Sequence, residues 1–273
     1  MRTFLVYFSL LGACTALEPA AASDPDKSGY TLLNPTPREF MREMSTDRPD
    51  TTESPHTVDA GRFQVESTLF GFAKDGSVEG FTFAESNFKL GLTNSADLQL
   101  VVPFYEHVRS DGVDEGGIGD LQVRFKWNLW GNEGGNTALG IMPFVRAPTA
   151  SHDLGNDKVE GGLIVPLALT LTDKLGLGMM AEVDLVHDEI RGGYETDFIQ
   201  SMVLGIELTD RWGSFVEFIS VATTRAEASW EGYAKAGFTL AVSADFVLDA
   251  GAAVGVNDAA EDFSTFVGLS WRH

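Results

Sequence analysis

The sequence predicts an all-β protein, a twelve-stranded antiparallel transmembrane β-barrel of the outer-membrane kind with a short irregular segment in front of it. Three observations predict it. Runs of alternating apolar and polar residues recur from Gly61 to the end, the connections between them alternate long and short, and the tryptophans gather at the short-connection end.

The chain opens on what reads as a secretory signal over residues 1–22. Met1-Arg2 is a minimal positive start, Thr3 to Leu17 an apolar core, and "EPAAAS" offers a small-residue cleavage site near Ala22. The apolar run is too short for a spanning helix, and no later run reaches the ~18 apolar residues one needs. The single cysteine, Cys14, stands inside the signal, in a "LLGAC" context that also resembles a lipoprotein cleavage site.

Residues 23–60 show no strand period, and five of the ten prolines fall there. A short helix is expected near 37–44, because Thr36-Pro37-Arg38-Glu39 has the form of a capping box with proline at the first helical position.

Residues 61–273 make the barrel, with strands expected at 61–73, 80–92, 96–107, 119–130, 137–147, 159–172, 174–187, 195–208, 212–223, 232–243, 245–257 and 263–272. "GDLQVRFKWNLW" (Gly119 to Trp130) shows the logic. Leu121, Val123, Phe125, Trp127 and Leu129 alternate with Gln122, Arg124, Lys126 and Asn128, which is period two and therefore strand. Many runs reach ten residues. Soluble strands cluster near ~5–6, whereas a tilted membrane strand needs ~9–11. The long connections, such as "SDGVDEGGIG" and "APTASHDLGNDK", are mostly acidic; "TDK" and "SAD" are short. External loops and periplasmic turns of outer-membrane barrels differ in this way, and their strand number is even. Trp127, Trp130, Trp212 and Trp271 all fall at the short-turn end, as an interfacial girdle would. The Leu/Phe/Trp face is therefore read as facing lipid and the charged face as facing the lumen. A secreted β-sandwich is the competing reading, but it would have to bury twelve long apolar faces.

The predicted lumen carries Arg62, Glu66, Glu85, Lys89, Arg124, Lys126, Arg146, Glu182, Asp184, Glu217, Lys235 and Asp249. Mixed charges of this kind either neutralise one another across a filled barrel or line a hydrated passage. Twelve strands fall between filled eight-stranded barrels and open sixteen-stranded porins, so a narrow or plugged pore is expected. Pro103, Pro143 and Pro166 sit mid-strand, where proline cannot donate to a ladder. Wall bulges are expected there, and with them a candidate side opening in the third to sixth strands.

A net charge of −21 argues against nucleic acid. The histidines are scattered and the nucleophile and metal motifs are missing, so no enzyme activity, cofactor or metal is expected. The partners expected are outer-membrane lipid, a small-molecule solute and the barrel assembly machinery.

Asn34 to Glu66 contains "TDRPDTTESP", a "TV-x-x-G" step and "Q-x-E" in the first strand, and "GGIGDLQVRFKWNLWG" follows in the middle of the chain. With these residues the chain resembles the bacterial outer-membrane transporter family of the MetA pathway of phenol degradation. The resemblance implies a barrel that passes small solutes, aromatic or apolar ones included. The alternative is a non-conducting barrel with a structural or adhesive role through its acidic loops. The chain departs from the usual aromatic finish by ending Trp271-Arg272-His273. The family motif also places Asp47, Arg48, Asp50 and Glu53 directly before the barrel. They are expected in a plug entering the lumen, with Arg48 paired to a wall carboxylate such as Glu66 or Glu182.

Overall fold

The computed structural model describes residues 26–151, 154–188, 191–225 and 229–273. The signal expected over residues 1–22, with Cys14, therefore lies outside the described residues. Thirteen strand segments follow one 3-10 turn, Arg38–Phe40. They are β1 (Phe63–Asp75), β2 (Val78–Thr93), β3 (Ala96–Ser110), β4 (Val113–Gly117), β5 (Leu121–Trp130), β6 (Thr137–Ala147) and β7 (Glu160–Thr172). Then come β8 (Leu175–His187), β9 (Tyr194–Glu207), β10 (Trp212–Thr223), β11 (Glu231–Ser243), β12 (Phe246–Gly255) and β13 (Phe263–Arg272). Every pairing is antiparallel. β1 pairs with β13 and β2 with β3, so the sheet closes on itself.

β4 and β5 are one barrel strand, interrupted. β3 pairs with β5 as far as Val101↔Gln122 and with β4 from Glu106↔Gly117. Four residues lie between these pairs on either side, so the register is kept across the gap. The barrel thus has twelve strands, and the fourth reaches further toward the outside than the alternating run at 119–130 suggests. The acidic stretch after Ser110 is a hairpin return, with Gly112 at φ 88 supplying its left-handed turn position.

The packing is inside-out. Val123, Phe125, Trp127 and Leu129 are between 39% and 48% exposed on the outer face. On the same strand Gln122, Lys126 and Asn128 are buried. Gln64, Glu66, Lys89, Asp97, Gln99, Glu217 and Asp249 are buried as well. A soluble core would reverse this assignment, since charged residues are almost never fully buried unless paired. Trp127, Trp130, Trp212 and Trp271 all point outward. Apart from β4 the strands run from ten to sixteen residues, enough to cross a bilayer at a tilt. No helix among the described residues is long and apolar enough to span a membrane.

The helix expected near 37–44 is only the 3-10 turn, and Pro37 provides no side-chain cap. Tertiary contacts take the chain away from a helical path. The Arg62 guanidinium binds the Thr36 carbonyl at 2.6 Å, and the Thr36 hydroxyl is buried without a partner. The Arg42 N–H then donates to Asp59 at 3.1 Å, while its guanidinium reaches the Asn94 carbonyl and Glu133. Met41 is already extended.

Candidate functional site: a loop across the lumen and an interrupted wall

Residues 45–57 enter the barrel from the short-turn side and return. The neck of this loop is closed by Ser45 Oγ against Ser54 Oγ at 2.8 Å and by the Ser54 N–H on Asp47 at 2.9 Å. Asp47 is the hub. Its carboxylate pairs with Lys126 at 2.6 Å and with Lys89, which also pairs with Glu66. Glu66 accepts the backbone N–H groups of Asp47 and Arg48. The Arg48 side chain reaches along the same wall to β12 and pairs with Asp249 at 2.6 Å. Glu53 pairs with Arg124 at 2.6 Å. Glu217 accepts the N–H groups of Thr51 and Thr52, at 2.9 and 2.7 Å, and Lys235 donates to Thr51 Oγ1 at 3.1 Å.

The structure therefore brings Glu66, Lys89, Arg124, Lys126, Glu217, Lys235 and Asp249 onto the loop. It leaves five of the sequence-derived lumenal residues elsewhere. Arg62 binds Thr36 near the base. Glu85 lines an outer cavity and Arg146 pairs with Glu160 at 3.0 Å. Glu182 and Asp184 lie on the Met180 side of β8 and enter no ion pair among the described residues. The Arg48 guanidinium takes Asp249 rather than Glu66 or Glu182, because Glu66 is already filled by Lys89 and two backbone donors. Asp50 enters no ion pair among the described residues and lines a chamber below the loop.

Two cavities flank the loop. The lower one, about 660 Å³, opens on the short-turn side and is lined by Pro49, Asp50, Ala168, Gly178, Val203 and Phe215, among others. The upper one, about 410 Å³, is lined by Glu85, Pro103, Glu106, Asp120, Arg124, Arg146 and Glu160.

The short-turn rim anchors the segment. Lys27 pairs with Glu133 at 2.6 Å and Arg42 with the same carboxylate at 2.7 Å. Partial burial alone would raise the Glu133 pKa, but hydrogen bonds from Lys27 and Asn94 and the nearby Arg42 hold it below the usual value. Sequence reasoning missed Lys27, Arg42, Asp59 and Glu133, which form this anchor with Arg272. Their only signal was charge in one short turn and in the irregular segment before the barrel.

All three mid-barrel prolines coincide with lost pairing. β3 has no ladder partner on the β5 side between Val101 and Glu106, and only the Gly119 N–H reaches the Pro103 carbonyl, at 3.0 Å. β5–β6 pairing skips Met142 and Pro143. β6–β7 pairing skips Gly140 and Ile141 opposite Val165 and Pro166. Each proline still pairs on its other side, with Glu85, Leu163 and Met180 respectively. A missing N–H breaks only the ladder it points toward. At the first gap the external loop takes over. Asp120 accepts the N–H groups of Thr149 and Ala150, and Ser151 donates to the Ile118 carbonyl.

A closed sheet with an apolar exterior, a charged and occupied interior, and aromatic side chains at the short-turn rim defines an integral outer-membrane β-barrel. The chain belongs to the family whose model is described as "Putative MetA-pathway of phenol degradation", which matches residues 46–273. Among solved structures it is similar to the COG4313 outer membrane channel of Pseudomonas putida F1. The TM-score is 0.65 at 13% identity, over 84% of this chain and 100% of that one. It is also similar to the NanC porin, with a TM-score of 0.55 at 9% identity over 77% and 98%. None of the curated proteins compared matches the chain.

Proposed function

We propose that this barrel passes small uncharged solutes, apolar and aromatic ones included, passively across the outer membrane. Residues 45–57 act as its plug. One observation carries the reading: the wall loses ladder pairing at three consecutive seams, β3–β5, β5–β6 and β6–β7, at Pro103, Pro143 and Pro166, and Pro103 also lines the upper cavity. Wall hydrogen bonds are what keep a barrel closed to lipid. Their interruption beside the upper cavity gives an apolar solute a sideways exit from the lumen. Membership of the phenol-degradation family and the fold shared with an outer-membrane channel support the same reading.

Replacing all three prolines by valine restores the missing donors. Uptake of radiolabelled ethylbenzene by intact cells should then fall toward that of cells without the barrel. Unchanged uptake would reject the side exit. Deleting residues 24–56 should raise single-channel current, and unchanged conductance would reject the plug. A second reading, a non-conducting barrel, is favoured by the loop's contacts with walls on opposite sides of the lumen. Under that reading liposomes carrying the barrel would not swell in any small solute.

A further inference from the structure

Among the described residues the lumen wall holds a buried apolar cluster. Met142, Phe144, Ile164 and Met180 form it, and Ile199 packs against it. These residues lie on β6 to β9 and face the loop. Met142 and Ile164 are 0% and 2% exposed.

The cluster's position matters more than its composition. On β7, Glu160 lines the upper cavity and Ala168 the lower one, and Ile164 stands midway. At ~3.3 Å per residue, each cavity lies roughly 13 Å from Ile164. On β8, Gly178 lines the lower cavity only two residues from Met180. In this quadrant a septum, the apolar cluster with Glu182 opposite Ile164 on the next strand, and the loop are what separate the two cavities.

Among the described residues the loop makes no ion pair to β6–β9. Its ion pairs run to β2, β5 and β12, through Lys89, Lys126, Arg124 and Asp249. Against the cluster, the Glu53 N–H finds only the Met180 thioether, at 3.5 Å. Thioether sulfur is a weak acceptor. Glu53 Oε2 has no hydrogen-bond partner. The firm ties of these two residues run to either side of the cluster: Thr52 to Ser201 Oγ at 2.6 Å and to Glu217 at 2.7 Å, and Glu53 to Arg124 at 2.6 Å.

We propose that the solute path past the plug crosses this septum, between Thr52–Glu53 and the Ile164–Met180 surface, and that the septum makes the passage selective for uncharged apolar or aromatic molecules. The proposal rests on the passive-passage reading above. A narrow apolar constriction sheds water and so refuses hydrated ions. Two methionines give it an adaptable surface with favourable sulfur contacts to aromatic rings.

The test is the variant Thr52→Cys/Ser201→Cys. The side-chain oxygens are within 2.6 Å, so the replacement thiols are placed to cross-link. Oxidation should cut ethylbenzene uptake by intact cells to the level of cells without the barrel, and dithiothreitol should restore it. Met180→Gln should raise single-channel current in KCl at least several-fold, because the septum then hydrates. Gel mobility before and after boiling confirms that each variant is a folded barrel. Unchanged uptake after oxidation, or unchanged current for Met180→Gln, would overturn the septum. Wild-type cells that take up no more ethylbenzene than cells lacking the barrel would instead overturn the passage reading.

Discussion

Lys126→Met removes one charge from the centre of the plug's attachment and little volume. The Lys126 ammonium is 1% exposed and lies 2.6 Å from Asp47 and 4.0 Å from Glu53. In the intact cluster Asp47, Glu53 and Glu66 face Lys89, Lys126 and Arg124, three charges of each sign. The variant leaves three carboxylates against two cations. Breaking a buried pair by removing one partner costs about 3–5 kcal/mol, since the remaining charge is stranded. The loop can avoid that cost by leaving the lumen, which shifts its docking equilibrium by about two to four powers of ten. Single-channel recording should therefore show a larger or more frequently open conductance than wild type. Lys126→Met/Asp47→Asn, which removes both partners, should return part of the way. A Lys126→Met barrel with unchanged conductance, and with residues 45–57 still protected from protease, would refute the reasoning.

Three further outcomes follow from the same structure. Phe125→Arg puts a charge on the lipid face and should destabilise the barrel by about 2–4 kcal/mol near the bilayer midplane, read by urea unfolding in lipid vesicles. Gly268→Val should expel the Arg48 guanidinium from beside Asp249, because a Cβ at Gly268 would meet Arg48 Nη2, and so raise the conductance as plug deletion does. The Lys27–Glu133 anchor should depend on acid: the Glu133 pKa is lowered in the folded chain, so its contribution is full above the ordinary glutamate value and is lost as pH falls through the lowered one. Hydrogen exchange at Leu32, whose N–H binds the Leu92 carbonyl, should lose protection between pH 6 and pH 3 after correction for intrinsic rate.

Strand positions were legible because a barrel wall imposes period two on every strand with no other demand competing for the pattern. Phe125 and Lys126 could be assigned to opposite faces from the alternation alone. Local conflicts with that pattern were legible too, and all three prolines fall where pairing fails. What could not be read depends on closure. Arg48 meets Asp249 across 201 residues of chain, and nothing local distinguishes that carboxylate from Glu66. The bulge between Thr68 and Phe70 and the left-handed Ala84 carry no glycine or proline to mark them. The 37–44 helix failed for the opposite reason. Its capping signal was genuine in form, but Arg62 and Asp59 compete for the same backbone groups.

The outward placement of the apolar face is tested most directly by spin labels at single cysteines from Val123 to Asn128 in lipid vesicles, read by collision with oxygen and with a water-soluble nickel complex. Labels at positions 123, 125 and 127 should be accessible to oxygen from the bilayer and shielded from nickel, and labels at 124, 126 and 128 should lack that lipid signature. Immobile labels at 123, 125 and 127, reached by neither reagent, would put those side chains in a dry protein core and contradict the barrel.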